Sequence, residues 1–512
     1  MKQRIEICQN ELWWCGVVDD AHCMPIGADS DYSYDLRKNA SYNQCNPLLI
    51  SSGGRYVYGD EYFTIRAQNG VIELESDGEL DFREGMADLR RAYLDASARH
   101  FPFQGAPPKR LHFDRPQYCT WIALMYEQSQ QGILRFCREL IEAGFPAGEL
   151  IIDAGWQRDY GDWDFHEGRF PDPAAMFREI RELGFSTAAW IVPFVSPDSA
   201  VFRELEAKGY LIGAPGGGAF ITHWWDGYSA VVDMTNPDAE AWLSGKLAGL
   251  MQRYGLDGFK FDAGDSRLYR SDNVTFRRVT PNEHSMLYGA YAERYPVNEV
   301  RACCKCAGRP IVQRIADRRH LWDAENGIRG LIPKAILQGL MGYPYLCPDM
   351  IGGGMFTDFL EESARKVDEE LIIRYAQASA LMPMMQFSYP VWSGGDRLRD
   401  LCRDSAELHV RYGEEIWALA QQAAATGEPI LRAMNYQYPQ LGWIEDQFML
   451  GDRLLVAPVV QKGVRNRSVV LPQGRWAFLP DGKLFTVDQP FEVVEVEAPL
   501  EVLPYFENAS RE

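Results

Sequence analysis

Nowhere in this sequence do about 18 apolar residues run together, so no membrane-spanning helix is expected. Met1-Lys2-Gln3-Arg4 leads into Ile5-Glu6-Ile7 with no apolar stretch behind it, so no export signal is expected either. Positive charge is scarce: 52 Lys and Arg face 72 Asp and Glu, a formal charge of −20 at pH 7. Nucleic acid and an anionic membrane surface would both repel such a chain, which suits a neutral or cationic ligand instead. The 11 cysteines are odd in number and lack regular spacing. Without an export signal they read as reduced thiols of a cytoplasmic protein. Cys303-Cys304-Lys305-Cys306 contains one Cys-x-x-Cys spacing, but no second pair and no His cluster follows. Small buried cysteines fit it better than a metal site. No Gly-x-Gly-x-x-Gly turn follows the first strand of the central region, which weighs against a doubly wound dinucleotide-binding sheet. Neither a metal nor a cofactor is expected.

What is present is length and an ordinary core. The 512 residues allow two to four domains, and 46% hydrophobic content is normal for a soluble globular chain. Residues 1–110 read as β-rich, with strand-like Tyr56-Val57-Tyr58 and Tyr62-Phe63-Thr64-Ile65. An Asn69-Gly70 turn leads into Val71-Ile72-Glu73-Leu74. A helix is expected over 86–100, and a linker at Gly105-Ala106-Pro107-Pro108.

From about 111 the texture becomes strand and helix in alternation. Ile133, Phe136, Cys137, Leu140 and Ile141 repeat at helical spacing, and Leu150-Ile151-Ile152 is an apolar strand that ends at Asp153. A helix opens at Pro173, Thr187–Val192 reads as a strand, and Ala230-Val231-Val232-Asp233 as a further one. Asn236-Pro237 caps the helix that leads to Gly258-Phe259-Lys260-Phe261, a strand closed by Asp262. The alternation continues with a strand within 309–315, a helix over 331–340, and helices near 358–382 and 405–425. After about 428 the pattern is β again. The fold expected is α/β: a (β/α)8 TIM barrel over 111–427 between an N-terminal β-rich region (1–110) and a C-terminal β-sandwich (428–512). In such barrels the chemistry sits at the C-terminal strand ends, where Asp153 and Asp262 fall.

Five separated stretches carry a resemblance. They are Ile152-Asp153 with Tyr160-Gly161-Asp162-Trp163-Asp164-Phe165 and Arg169-Phe170-Pro171-Asp172; Trp190-Ile191-Val192-Pro193-Phe194; Gly258 to Gly264; Gly342-Tyr343-Pro344; and Pro348-Asp349-Met350-Ile351-Gly352-Gly353. In order and spacing, residues 112 to 505 resemble glycoside hydrolase family 31. Trp224-Trp225-Asp226-Gly227 and Met385-Gln386-Phe387-Ser388 are similar to the branch of the myogenesis-regulating glycosidase.

The resemblance implies a nucleophile at Asp262 and an acid/base at Glu325. The family usually has Gly-Asp where this chain has Ala324-Glu325, and Asp323 is the alternative acid. Asp153, Trp190, Trp225, Lys260, Arg309, Trp322 and Asp349 stand at positions that line the sugar pocket in relatives. Asp265 replaces a usual Glu. The Arg-x-His of α-glucosidases is absent at Met385-Gln386-Phe387, and the branch acts on α-galactosides. A buried tryptophan also serves plain core packing, and Asp349 beside Gly352 also fits a turn, so both readings stand.

A retaining glycosidase needs an ionised carboxylate to attack the anomeric carbon and a protonated one to release the aglycone. Lys260 near Asp262 would favour the ionised form. The expected function is a retaining exo-acting α-glycosidase on a small glycoside or oligosaccharide, foremost an α-galactosidase. An α-glucosidase or α-xylosidase, a transglycosylase and a sugar-binding barrel without turnover are the alternatives. A homo-oligomer whose N-terminal region completes a partner's pocket is a further expectation.

Overall fold

The computed structural model describes residues 1–360 and 366–510. Its centre is a ring of eight short parallel strands: β1 (Gln117–Cys119), β2 (Glu149–Ile152), β3 (Ser186–Ile191), β4 (Gly258–Phe261), β5 (Val297–Val300), β6 (Gln313–Arg314), β7 (Leu346–Cys347) and β8 (Gln386–Phe387). Their spatial order is β7-β6-β5-β4-β3-β2-β1-β8. A parallel bridge between Met350 and Gln386 draws the two ends together, with the Ile351 N–H donating to the Gln386 carbonyl at 2.8 Å. The barrel expected from the alternation is therefore the fold.

Helical stripes and their punctuation build the outer ring. Helix Gln130–Glu142 buries Ile133, Phe136, Cys137 and Leu140, and the Ser129 side chain caps it. Helix Pro173–Glu182 starts on Asp172, whose side chain accepts from the Ala175 N–H. Helix Pro237–Tyr254 starts on Asn236 and stops at Gly255 in the left-handed region, φ 73°. Each such cap contributes about 1 kcal/mol.

Four expectations change. Ala230–Asp233 is not a barrel strand. It overlaps a hairpin of Ile221–Trp224 and Gly227–Val231, which pairs antiparallel with Phe194–Val195 beyond the end of β3. The chain leaves β3 at Ile191 and folds over the C-terminal mouth before it returns. Strand β5 is an element the hydrophobic pattern did not mark. The helix expected near 358–382 is Glu369–Ala380, and residues 361–365 of that expectation lie outside the described residues. The 405–425 helix is two, Asp396–Arg411 and Gly413–Thr426.

The N-terminal region holds two four-stranded antiparallel sheets. In one, Phe63–Gln68 and Val71–Ser76 form a hairpin that turns at Asn69 and Gly70, with φ 53° and 76°. The C-terminal region is a six-stranded antiparallel sheet, with its own apolar cluster around Trp476, Leu471 and Phe506.

One N-terminal segment matters most for the site. The Cys45 N–H donates to the Cys303 carbonyl at 2.9 Å, and the Gln44 amide donates to the carbonyls of Arg301 and Arg314. Residues 39–46 are thus laid against the C-terminal ends of β5 and β6 of the same chain. No helix among the described residues is long and apolar enough to cross a membrane.

Candidate active site

Asp262 follows β4. Gly258 opens that strand where a Cβ would stand 1.8 Å from the Val297 carbonyl oxygen, so only glycine lets β4 lie against β5 there. After Asp262, Ala263 (φ 58°) and Gly264 (φ 75°) both take the left-handed region. For alanine this strain costs about 1–3 kcal/mol. It turns the Ala263 N–H onto Asp262 Oδ1 at 2.8 Å.

The strands on either side then fix the carboxylate. Trp190, in β3, donates Nε1–H to Asp262 Oδ2 at 2.9 Å. Arg301, the residue after β5, donates Nε–H to Oδ1 at 2.7 Å. The other face of the same guanidinium is bidentate on Asp265, at 2.9 and 2.7 Å. Burial pushes the Asp262 carboxyl upward. The charges of Arg301, Arg314 and Lys260 outweigh it and hold the group well below the ordinary carboxylate range. Arg301 Nη1 also donates to the Tyr42 carbonyl at 2.7 Å, which brings the 39–46 segment to within one side chain of Asp262.

A second group lies beside the first. Trp190, Lys260 and Glu299 share one register level across β3, β4 and β5. Lys260 donates to Asp153 Oδ2 at 2.7 Å, and the Cys119 thiol donates to the same oxygen at 3.0 Å. Burial alone would lower the Lys260 pKa, but the Asp153 charge dominates and raises it. Lys260 therefore remains an ammonium that serves Asp153 directly and Asp262 at longer range.

The third group is built on Arg314 at the end of β6. Its Nη1 meets Asp349 Oδ1 at 2.6 Å and Asp317 Oδ1 at 2.7 Å. Its Nε lies 3.3 Å from Glu299. Asp349, φ 70°, also accepts from the backbone N–H groups of Arg318 (2.8 Å) and Gly354 (3.1 Å). Burial raises the Asp349 pKa despite Arg314. Gln386 is fully buried and donates to Glu299 at 2.8 Å, so it braces the barrel interior. Asp317 differs from the other acids in this group: its side chain is 37% exposed.

Asp153, Trp190, Lys260, Asp262 and Asp349 thus come together at the C-terminal end of the barrel, linked by Arg301 and Arg314. Trp225 stands at the rim, 46% exposed, with the Arg301 guanidinium 5.3 Å from its ring centre. Trp322 lies on the loop after β6 and donates to Asp368 at 3.0 Å.

The structure places Arg309 away from this group and leaves Glu325 and Asp323 at the surface. Arg309 precedes β6 and belongs to the opposite, N-terminal end of the barrel, where it pairs with Glu293 at 2.7 Å. Arg314, five residues on, is the arginine at the site. Glu325 and Asp323 are both exposed. Asp323 Oδ1 accepts from the Asn326 and Gly327 N–H groups at 2.9 and 2.7 Å, which makes it a turn cap. The Glu325 charge acts on Cys23 and Lys334, toward the N-terminal region. Among the described residues no cluster of His, Cys, Asp and Glu is arranged to hold a metal ion. The residues the sequence did not single out are Arg301, Arg314, Asp317 and Tyr42. The signal for the first two was an arginine directly at a strand end.

Comparison with known proteins bears on this arrangement. Residues 115–412 match the TIM-barrel domain of glycosyl hydrolases family 31, and residues 427–509 match that family's C-terminal domain. The mouse (Mus musculus) myogenesis-regulating glycosidase is 33% identical over 445 residues, 84% of this chain and 62% of the relative. The α-xylosidase XylQ of Lactiplantibacillus pentosus is 24% identical, over 88% of this chain and 60% of its own length. The chain spans about three fifths of the length of these two relatives. A Flavobacterium johnsoniae family 31 dextranase, solved with glucose, superposes with a TM-score of 0.84 at 19% identity, covering 99% of this chain and 66% of that one. A soil-metagenome family 31 α-xylosidase, solved with xylose, gives 0.83 at 21%, covering 99% and 79%. The two superpositions speak for the fold, and the family models for descent. This chain belongs to glycosyl hydrolases family 31.

Proposed function

We propose that this protein is a retaining, exo-acting α-glycosidase that works by double displacement, with terminal α-galactosides as its preferred substrates. The observation that carries the reading is the contrast between two carboxyl groups. Asp262 is buried, ionised and held by Arg301 and Trp190, as an attacking group must be. Two strands away, half-exposed Asp317 rests on Arg314. Asp262 attacks the anomeric carbon and Asp317 protonates the departing oxygen. Asp317 then takes a proton from water as the glycosyl-enzyme is hydrolysed. In this assignment Asp317 replaces Glu325 and Asp323: Asp323 is occupied as a turn cap, and the Glu325 charge acts toward the N-terminal region.

Asp153, held by Lys260, and Asp349, held by Arg314, are the hydroxyl-binding acids. A site that hydrogen-bonds particular hydroxyls rejects epimers strongly. Trp225 and Tyr42 form an aromatic rim for the leaving group. Both are about half exposed, and their rings stack on Arg301 and Arg267 at 5.3 and 4.0 Å. The galactoside preference is supported by the missing Arg-x-His at 385–387 and by the likeness to the myogenesis-regulating branch. Division at about 110 and 427 is part of the same proposal, supported by the spans of the two family matches. So is a reducing, cytoplasmic setting, supported by the 11 free cysteines.

A panel of 4-nitrophenyl α-glycosides tests the reading: galactoside, N-acetylgalactosaminide, glucoside and xyloside. The galactoside is expected to turn over fastest, with Asp262→Asn reducing kcat/KM ~10⁴-fold or more. A glucoside or xyloside that wins overturns the glycone. Turnover that survives in Asp262→Asn overturns the mechanism.

A further inference from the structure

Four cysteines meet where the N-terminal region touches the barrel. Cys45, Cys303, Cys304 and Cys306 are all buried, and none is in a disulfide. Cys45 and Cys304 are directly paired. They form a parallel β-bridge, the Lys305 N–H donates to the Cys45 carbonyl at 3.1 Å, and the Cys45 thiol points at Cys304 Sγ at 3.0 Å. Residues opposed on neighbouring strands lie about 4.7–4.9 Å apart, within the Cα separation a disulfide accepts.

The two sulfurs are not equivalent. Cys304 Sγ is approached by the Cys45 thiol, by Asn39 Nδ2 at 3.5 Å and by the Ser266 hydroxyl at 3.3 Å. Burial works against a thiolate there, but these donors outweigh it and lower the Cys304 pKa. Cys45, hydrogen-bonded to Cys304 and buried, is pushed the other way. One thiol is set up to react and its neighbour to resolve.

We propose that Cys45 and Cys304 form an oxidation site, at which a peroxide converts the pair into a disulfide that ties the 39–46 segment to the end of β5. Cys304 thiolate attacks one oxygen of hydrogen peroxide; the O–O bond breaks, the other oxygen leaves as hydroxide, and Cys304 becomes a sulfenic acid. The Cys45 thiol attacks the sulfenic sulfur, the S–S bond forms and water leaves. In sum two thiols lose two protons and two electrons, and one peroxide becomes two waters. Hydrogen peroxide is small enough to reach a buried sulfur. The bond would close a 259-residue loop. It would stand three residues from Tyr42 on one side and three from Arg301 on the other, so it fastens the contact that braces Asp262. Closing so long a loop stabilises the folded state chiefly by restricting the unfolded one. This inference stands apart from the proposed reaction and survives if the glycone or mechanism is wrong.

The test uses the full chain in its native state, treated with hydrogen peroxide, unfolded in alkylating agent and digested with trypsin without reduction. Peptide 39–55 is expected linked to peptide 302–305, at the summed mass less two hydrogens, with the link lost on reduction. Cys303→Ser, which keeps both partners, retains the link, and Cys45→Ser and Cys304→Ala lose it. Peroxide raises the Tm of wild type by several degrees and leaves that of Cys45→Ser where it was. If Cys45 and Cys304 still alkylate fully after peroxide, or the link joins Cys303 to Cys306, the proposal is overturned. Because peptide 302–305 carries both Cys303 and Cys304, fragmentation of the linked wild-type peptide assigns the bond and decides the matter even where a variant does not fold; a bond from Cys45 to Cys303 also overturns the proposal.

Discussion

The two sides of the barrel mouth are built to opposite specifications. On the β3–β5 side, the Asp262 side chain is 11% exposed and its oxygens accept from Trp190, Arg301 and the Ala263 backbone. On the β6 side, Asp317 is 37% exposed on its side chain and leans on a single guanidinium. A nucleophile has to stay ionised and aimed, which burial among cations achieves. An acid/base has to give a proton to the departing oxygen and recover one from the attacking water, so it must stay open to that water. Accessibility, more than the identity of the carboxyl residue, separates the two roles.

The sharpest way to break this comparison is to remove each acid in turn. Asp317→Asn is expected to lower kcat/KM for an unactivated disaccharide by about 10²–10⁴-fold, the range for losing a general acid. The loss should be much smaller for a glycosyl fluoride, whose leaving group needs little protonation. Glu325→Gln and Asp323→Asn should change the same ratio less than threefold. Should Glu325→Gln show the larger, leaving-group-dependent loss, the acid assignment moves to Glu325.

Arg301→Gln probes the other side. Asp262 has a folded pKa below its ordinary value, so its stabilising effect is complete above the ordinary carboxylate range and is lost as pH falls through the lowered value. With the guanidinium gone, burial is opposed by fewer charges and the pKa rises. The acid limb of the kcat/KM profile should therefore move to higher pH. Stability should also fall by about 3–5 kcal/mol, since Asp262 and Asp265 become buried charges short of a partner. A limb that stays in place would separate Asp262 from that ionisation. The smallest effect belongs to Arg309→Ala. Its pair with Glu293 is partly exposed at the far end of the barrel, so stability should drop less than about 1 kcal/mol and kcat/KM should stay within twofold.

Much of the architecture was legible because helices announce themselves. The stripe of Ile133, Phe136, Cys137 and Leu140, and the stops at Gly144, Gly184 and Gly255, follow from helical periodicity and left-handed caps. Asp262 was legible because Phe259 and Phe261 alternate with Lys260 before it. Strand β5 was not. Val297-Asn298-Glu299-Val300 has no alternation, and its Glu299 is buried inside the barrel, where it accepts from Gln386 and lies 3.3 Å from the Arg314 guanidinium. A charged residue in such a run reads as surface until its partners are known, and with β5 unread, Arg301 had no strand end to occupy. A short strand was read within 309–315, and the resemblance put the weight on Arg309. The strand proper is only Gln313–Arg314, so the arginine at its end is the later one. Glu325 was placed by its spacing from Trp322 in the resemblance; in the structure it is exposed, on a turn capped by Asp323.

A double displacement at this site requires that Asp262 become covalently glycosylated. Incubation with 5-fluoro-α-galactosyl fluoride, which slows the second step more than the first, followed by peptide mapping, reads this out. The prediction is one sugar per chain on peptide 261–267, with fragmentation assigning it to Asp262 and not to Asp265. A protein that hydrolyses α-galactosides yet carries no label, or carries it on another residue, contradicts the assignment of Asp262.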